Sequence, residues 1–415
     1  MAKYKNLFDV IVVGGGASGM MAAGRAAERG KRVLLLEKNR TLGKKLSISG
    51  GGRCNIMNAE SDENILLSYY GKAKPFLHSS FSQLGMKGAF SFFESRGLKL
   101  KVEAYKRAFP ETDNAEDVVR TLGEYMAEGK VETRLGITVH KMFGSSGHIE
   151  KVVTEEGDFS ARSYILATGG ASHPETGSTG DGFKWLENLG HKVEKPTPTI
   201  VPLRTKETWV KKISGVSFAD AKITFFVDGM KKMSRTGNVL FTHFGISGPV
   251  ILNSAGKVAD LLHEGVVIAH IDAFPATDIG ALDRMVRQAF DANKNKLFKN
   301  IAKQVAPAGF ADMLVFLAKD ISPETKVHSI TKEQRRSVVN VLKNIPLTIT
   351  GLMGFDRAVV ADGGLVLTEV DMRTMHSKRY GNLFVTGDLL HINRPSGGYS
   401  FQLCWTTGYV AGSHA

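Results

Sequence analysis

The sequence predicts an α/β protein in which a domain built on a parallel sheet is interrupted by a β-rich segment and then by a helical segment. Three observations support this fold class. A strand pattern, a glycine-rich turn and a helix pattern follow one another near the start of the sequence. The pattern becomes strand-like after Pro196 and helical further on, and short strands with Gly-rich turns return after Pro346. The expected domains are residues 1–195 together with 346–415, a β-rich insertion at 196–275, and a helical insertion at 276–345.

Composition indicates a globular protein with more than one core. The chain has 415 residues, of which 42% are hydrophobic, and this length exceeds that of one ordinary domain. No apolar run reaches the roughly 18–20 residues of a membrane helix. Only Cys54 and Cys404 occur, which fits a reducing compartment. We therefore expect a cytoplasmic protein with no membrane association, disulfide or metal site, and the sequence leaves its oligomeric state open.

The net charge of +13 leaves two interpretations open. Twelve lysines and arginines stand against six acidic residues between Ala281 and Asn344. Such a segment can bind nucleic acid or an anionic substrate. Charges spread over amphipathic helices are more often a solvated surface, so nucleic acid is the less favoured partner.

The first motif is a glycine-rich turn inside a βαβ unit. The apolar run Phe8–Val13 leads through Gly14-x-Gly16-x-x-Gly19 into a helix pattern, and a second apolar strand ends at Glu37. These glycines let a backbone approach a pyrophosphate at the helix N-terminus. Glu37 is suited to the ribose hydroxyls of an adenosine and would repel a 2′-phosphate. The unit is typical of a Rossmann-like domain that binds FAD or NAD rather than NADP.

Three further signals favour FAD. The block Ser49–Asn55 contains three consecutive glycines, whose bare backbone amides can lie against a planar ring. An NAD dehydrogenase does not need a second glycine-rich loop of this kind, whereas a protein that holds a flavin ring does. The strand that ends at Gly387-Asp388 presents an acid suited to ribityl hydroxyls, a group that FAD has and NAD lacks. Gly397-Gly398-Tyr399 opens the last helix, whose free amides would face the flavin pyrimidine edge. The full set of expected cofactor-binding residues is Gly14, Gly16, Ala17, Ser18, Gly19, Glu37, Lys38, Lys45, Ser49, Gly50, Gly51, Gly52, Arg53, Cys54, Asn55, Ala167, Thr168, Gly169, Gly387, Asp388, Gly397, Gly398 and Tyr399.

Over nearly its whole length the chain resembles the bacterial aminoacetone oxidase family of FAD-dependent oxidoreductases. The resemblance rests on the first glycine turn, the Lys45–Asn55 block, the Phe241–Pro249 segment and the Gly387–Tyr399 tail. A weaker similarity runs to fumarate-reductase-type flavoproteins. The resemblance implies an FAD domain, a β-barrel-like domain and a helical domain that covers the flavin. The chain departs from the family at His391–Arg394, where an acidic turn is common, so no member's substrate is carried over.

His391 and Arg394 are the candidate catalytic residues because they lie between Asp388 and the Gly397-Gly398 turn. Arg394 could hold a carboxylate or carbonyl oxygen of the substrate, and His391 could pass a proton. Either could instead contact cofactor phosphate or backbone. Tyr105 and Arg107 are weaker candidates, and the lone Cys54 fits a packing role better than a redox role.

These features predict an FAD-dependent oxidoreductase that transfers a hydride between a small organic substrate and the flavin. NAD(P)H or dioxygen would complete the cycle. The sequence contains one dinucleotide fingerprint, so NAD(P)H would dock transiently. The rival hypothesis is a nucleic-acid-binding or RNA-modifying flavoprotein that uses the basic helical insertion. It is disfavoured because no aromatic residues are interleaved with the charges for base stacking.

Purified protein is expected to be yellow and, after denaturation, to release FAD rather than FMN. The reason is the pairing of Glu37, suited to the adenosine ribose, with Asp388, suited to the ribityl chain. Chromatography of the denatured supernatant measures this. A colourless protein that does not take up added FAD would contradict the assignment.

Overall fold

The computed structural model describes residues 8–415. These residues divide into two compact units. The first holds the described residues up to Pro198 together with Ala358–Ala415, and the second is Thr199–Arg357.

Short strands and helices alternate through both units. The strands are Phe8–Val13 (β1), Val33–Glu37 (β2), Met57–Asn58 (β3), Leu100–Glu103 (β4), Arg107–Pro110 (β5), Glu132–Leu135 (β6), Val139–Ser145 (β7), His148–Thr154 (β8), Gly157–Phe159 (β9), Ala161–Leu166 (β10), Val193–Thr199 (β11), Leu203–Thr205 (β12), Ser217–Val227 (β13), Met230–Thr242 (β14), Gly245–Ser247 (β15), Val267–Asp272 (β16), Ile345–Leu352 (β17), Val360–Leu365 (β18), Val370–Asp371 (β19), His376–Ser377 (β20) and Leu383–Val385 (β21). The helices are Ala17–Glu28 (α1), Lys44–Ser47 (α2), Glu63–Ser68 (α3), Lys74–Gln83 (α4), Met86–Ser95 (α5), Ala115–Glu128 (α6), Asp181–Asn188 (α7), Pro249–Leu252 (α8), Ala255–Glu264 (α9), Ile279–Asp291 (α10), Phe298–Val305 (α11), Ala311–Leu317 (α12), Lys332–Lys343 (α13) and Tyr399–His414 (α14).

A seven-stranded sheet forms the centre of the first unit, in the order β19-β20-β21-β10-β1-β2-β6. The strands from β21 to β6 pair in parallel. β1, β2 and β21 are almost wholly buried, as expected for parallel strands covered on both faces, and this is why they read as continuous apolar runs. Their carboxyl ends lie along one edge, which is where ligands bind in open α/β sheets.

The last helix packs against the first. A Cβ atom added at Gly408 would lie 2.4 Å from the Ser18 carbonyl oxygen, and one at Gly412 would lie 2.3 Å from that of Ala22. These two glycines, one helical turn apart, let the α1 and α14 backbones approach closely. The C-terminal segment is thereby fixed beside the N-terminal βαβ unit.

The second unit contains a closed six-stranded barrel, in the order β12-β15-β14-β13-β16-β17. Alternate residues of β13, including Ile223, Phe225 and Val227, are buried, as the period of a strand requires. The helices α10 to α13 lie between β16 and β17 in the chain.

The boundary near residue 346 differs from the expected one. β17 pairs with β16 and β12 and closes the barrel, so residues 346–352 belong with the β-rich segment and not with the sheet domain. Closure removes the exposed edges that β12 and β16 would otherwise present. The division of the insertion into separate β-rich and helical domains stays a prediction. Within residues 8–415, none of the helices has the length and apolarity needed to cross a membrane.

Replacement of Gly408 by alanine is expected to destabilise the protein by about 1–3 kcal/mol, because the methyl group would overlap the Ser18 carbonyl and force α14 away from α1. The free energy of unfolding, measured with denaturant, reports this change. Gly123→Ala in α6 is the matched control, since a Cβ there meets no atom within 4 Å. That control should stabilise by about 0.5–1 kcal/mol. Equal effects of the two variants would contradict the close approach of the helices.

Candidate cofactor site

A cleft of about 950 Å³, including space open to solvent, lies at the carboxyl edge of the parallel sheet in the first unit. Of the expected site residues, the cleft is lined by Gly14, Gly16, Ala17, Ser18, Glu37, Lys38, Lys45, Ala167, Thr168, Gly169 and Asp388. The structure therefore brings together residues from both ends of the sequence.

The glycines of the first turn have different tasks. Gly14 has a φ of 107°, and a Cβ on Gly19 would lie 1.8 Å from the Gly14 carbonyl oxygen. The first and third glycines are thus required by packing between β1 and α1. A Cβ on Gly16 would meet nothing within 4 Å, so its backbone borders open space in the cleft. That is the position at which a pyrophosphate can approach the start of α1.

Glu37 ends β2 with its side chain buried in the cleft wall. One carboxylate oxygen accepts from the Gly15 amide at 2.6 Å, and the other accepts from the Asn39 backbone and side-chain nitrogens at 2.7 Å each. A carboxylate has about four acceptor positions, so capacity remains for a ribose hydroxyl. The three bonds fix the direction of the side chain.

Several cleft residues were not predicted from the sequence, and two of them, Thr179 and Asp181, are partners of the predicted Lys38. Lys38 Nζ donates to Thr179 Oγ1 at 2.7 Å and to Asp181 Oδ2 at 3.0 Å. This contact ties the end of β2 to the start of α7, and both partners line the cleft. The sequence analysis did not single out Thr179 or Asp181. Phe401 and Cys404 of α14 also line the cleft, and only the three-dimensional packing of α14 places them there.

One buried polar atom indicates that the cleft fits a polar cofactor. Thr168 Oγ1 is buried and has no hydrogen-bond partner among the described residues, and Thr168 lines the cleft. An unsatisfied buried hydroxyl costs about 1–3 kcal/mol. A bound dinucleotide offers many hydroxyl and phosphate oxygens that can supply the missing partner.

Asp388 lies among positive charges at one end of the cleft. The Arg394 guanidinium forms an ion pair with its carboxylate and also donates to the Ile392 carbonyl at 2.7 Å and to Ser400 Oγ at 3.0 Å. Burial lowers the pKa of Lys45, and the nearby Asp388 carboxylate acts in the opposite direction. Arg394 is only 1% exposed, so its geometry favours holding Asp388 in place. A direct contact of Arg394 with substrate stays a prediction.

His391 is more accessible than Arg394. Its side chain is 37% exposed, and Nε2 lies 3.3 Å from Asp362 Oδ1. Asn393 donates to the other oxygen of the same carboxylate at 3.1 Å. Asp362, which the sequence analysis did not single out, thus orients the loop that carries His391. Neither His391 nor Arg394 is among the residues that line the cleft.

The Ser49–Asn55 block does not line the cleft. Its three glycines have φ angles of 58°, 70° and 86° and form a tight turn. Arg53 pairs with Glu103 and with Asp113 and lies 4.2 Å over the Phe109 ring. These contacts join the block to β4 and β5, and its expected contact with the cofactor stays a prediction.

Both thiols are inert in this environment. Burial raises the pKa of Cys54 and of Cys404 to about 12. The thiolate is the reactive form, so burial disfavours the reactive form of both side chains. The packing role expected for Cys54 fits its complete burial.

Gly387, Gly397, Gly398 and Tyr399, which were also expected at the site, do not line the cleft. A Cβ on Gly387 would lie 2.9 Å from Ser18 Oγ, and one on Gly398 would lie 2.3 Å from the Met57 carbonyl carbon. Gly398 therefore allows close approach of the Met57 backbone, and Gly387 leaves room for the Ser18 side chain. Their contacts with a cofactor stay predictions.

Replacement of Arg394 by alanine is expected to lower FAD occupancy. The change leaves the Asp388 carboxylate without its buried partner, and breaking a buried ion pair typically costs about 3–5 kcal/mol. Flavin content and the flavin reduction rate, measured in the same preparation, report the outcome. Full FAD content with turnover slowed about tenfold to a hundredfold would instead indicate a direct contact with substrate.

Comparison with known proteins identifies the family. Residues 8–414 match the family model described as the HI0933-like protein Rossmann domain. The chain is 30% identical over 411 residues to a 3-dehydro-bile acid delta(4,6)-reductase of Clostridium scindens, covering 97% of this chain and 98% of that protein. It is 24% identical over 416 residues to a ribosomal RNA dihydrouridine synthase of Haemophilus influenzae, covering 99% of this chain and 98% of that protein.

Solved structures show the same fold at low identity. A 3-ketosteroid delta1-dehydrogenase from Sterolibacterium denitrificans has a TM-score of 0.54 at 13% identity, covering 99% of both chains. A quinol fumarate reductase of Escherichia coli has a TM-score of 0.54 at 14% identity, covering 98% of this chain and 69% of that chain. The predicted fold class and the predicted FAD cofactor are confirmed. The chain belongs to the HI0933-like family of FAD-dependent oxidoreductases with a Rossmann domain.

Proposed function

We propose that the protein is an FAD-dependent reductase that saturates a carbon–carbon double bond conjugated to a carbonyl group. The observation that carries this proposal is what two full-length relatives share. A delta(4,6)-reductase of a 3-dehydro bile acid acts, by its name, on ring double bonds that can conjugate with the 3-oxo group. A dihydrouridine synthase reduces the uracil double bond that is conjugated to a ring carbonyl. The ring systems differ, but the bond that is reduced is of the same kind.

The reaction adds a hydride to one carbon of the double bond and a proton to the other, while NAD(P)H is oxidised to NAD(P)⁺. When bound in the cleft, FAD reduced by NAD(P)H would supply the hydride. The protein must hold the flavin, orient the ring and provide the proton. Asp388, fixed by Arg394, is suited to holding the cofactor at this end of the cleft.

His391 is assigned as the proton donor. Its imidazole is partly exposed, so a substrate ring can reach it, and its contact with Asp362 at 3.3 Å orients the ring. A positioned general acid contributes about 10²- to 10⁴-fold to a rate.

An RNA substrate is the second candidate for the same reaction. Lys294, Lys296 and Lys326 are exposed and have no ion pair among the described residues. Their segments are joined by backbone bonds from Val327 to the Lys296 carbonyl at 3.0 Å and from His328 to the Lys294 carbonyl at 3.1 Å. Unpaired cations in such an arrangement can neutralise phosphates. The dihydrouridine synthases among the relatives act, by their names, on ribosomal RNA.

Anaerobic assays with NADH or NADPH test the proposal with two substrates, a 3-oxo-4,6-diene bile acid and an unmodified ribosomal RNA fragment. We expect one of them to gain two hydrogens by mass spectrometry. His391→Ala should slow product formation by about 10²- to 10⁴-fold with unchanged FAD content. His263→Ala, an exposed histidine of α9, is the matched control.

Binding of the RNA fragment should weaken steeply with salt if the cations of the second unit contact phosphates. Reduction of the bile acid without salt-dependent RNA binding would select the small-molecule candidate. Hydrogen peroxide formation in air, with neither substrate reduced, would contradict a reductase and indicate an oxidase.

A further inference from the structure

The turn between β4 and β5 holds an aromatic side chain in a strained conformation. Tyr105 has φ 62° and ψ 28°, and the next residue, Lys106, has φ 56°. Two consecutive left-handed residues in a hairpin turn are usually Asn-Gly or Asp-Gly, because a Cβ is strained there. Tyr105 is nevertheless 78% exposed, more than any other large apolar side chain of residues 8–415. The strain is therefore not compensated by burial of the ring.

The same turn is fixed to the segment that begins α14. The Asn58 side-chain nitrogen donates to the Tyr105 carbonyl at 3.2 Å and to the Gly397 carbonyl at 3.1 Å. One amide thus joins the hairpin turn to the turn before α14. One helical turn further on, Phe401 lines the cofactor cleft. Tyr105 is thereby connected, through Asn58, to the turn that precedes the cleft-lining helix α14.

A cation without an acidic partner lies beside the exposed ring. The Arg107 guanidinium is 6.0 Å from the Tyr105 ring centroid and donates to the Ala104 carbonyl at 3.2 Å. Within the described residues it forms no ion pair, whereas the adjacent Lys106 pairs with Glu60 at 2.5 Å. An exposed aromatic face next to a free guanidinium suits a planar ring that carries an anionic group.

We propose that Tyr105 and Arg107 form a substrate-binding site. The planar ring of the substrate stacks on Tyr105, and Arg107 binds a carboxylate or phosphate of the same molecule. This inference rests on the proposed function and specifies its substrate as an anionic, carbonyl-conjugated ring compound. A bile acid and a uridine nucleotide both have this chemistry. Strain retained at an exposed site is typical of residues that contact ligands.

The test compares FAD-loaded wild type with four variants, of which Arg107→Ala removes the cation beside the ring. Tyr105→Asn removes the ring but keeps a side chain that tolerates the left-handed conformation. Tyr105→Phe keeps the ring. Lys130→Asn is the matched control, because Lys130 is also exposed and left-handed, with φ 57°. The probes are a 3-oxo-4,6-diene bile acid and uridine 5′-monophosphate, and their Kd is read from the change in flavin absorbance, which requires no turnover.

We expect Tyr105→Asn to keep its FAD and its melting temperature, or to melt higher, while its Kd for one probe rises roughly tenfold, as for loss of an aromatic stacking partner. Tyr105→Phe should bind as the wild type does, and Lys130→Asn should leave Kd unchanged. Arg107→Ala should weaken binding of the anionic probe. A third probe, the neutral 4-androstene-3,17-dione, should bind to this variant as it binds to the wild type.

Wild-type affinity in Tyr105→Asn, or a lower melting temperature with loss of FAD, would overturn the proposal and assign Tyr105 a structural role or none. Failure of both probes to bind the wild type would overturn the substrate class. A probe that binds through Tyr105 but is not reduced would leave this site intact and contradict only the proposed reaction.

Discussion

The backbone of Gly19 passes so close to the Gly14 carbonyl that no side chain fits between them, and the rest of the first unit depends on this contact. It sets the angle at which α1 leaves the sheet and so opens the space beside Gly16. α14 can then pack on α1 through its own glycines, Gly408 and Gly412. Since α14 follows the Asp388 loop directly in the chain, the same packing brings an acid from near residue 390 to a turn near residue 15.

Electrostatics at the two ends of the cleft differ because their acids are held differently. Glu37 is fixed by amide nitrogens, which carry no full charge. Asp388 is fixed by the guanidinium of Arg394, with Lys45 nearby. Burial of a charged pair is costly unless the remaining donors are satisfied. Arg394 meets that condition through a carbonyl and a hydroxyl, which is why it can be almost fully buried.

The sheet domain could be predicted because its first elements have local sequence patterns. The closure of the barrel could not, because it depends on pairing between strands far apart in the sequence. β1, α1 and β2 follow from apolar periodicity and turn residues within thirty positions. The closure of the barrel by β17 depends on a partner, β16, separated from it by four helices, and no local pattern encodes that pairing. The contacts of Arg53 in the Ser49–Asn55 block also depend on long-range pairing, because the acids that engage it lie about fifty and sixty residues further on. The cofactor contact that the glycines of this block indicate stays a prediction. Asp362 beside His391 could not have been found either, because nothing in sequence links the two.

The position of the second unit within the chain has a consequence for biosynthesis. The polypeptide leaves the sheet domain after β11 and returns at β18, and these two strands pair with each other. A nascent chain therefore exposes the α14-binding face of α1 while the whole inserted unit is being translated. Domains fold as units during synthesis, so the barrel can form on the ribosome before the domain that began first. The Gly16 and Glu37 part of the cleft is thus synthesised before the inserted unit, and the part that contains Asp388 is synthesised only after it.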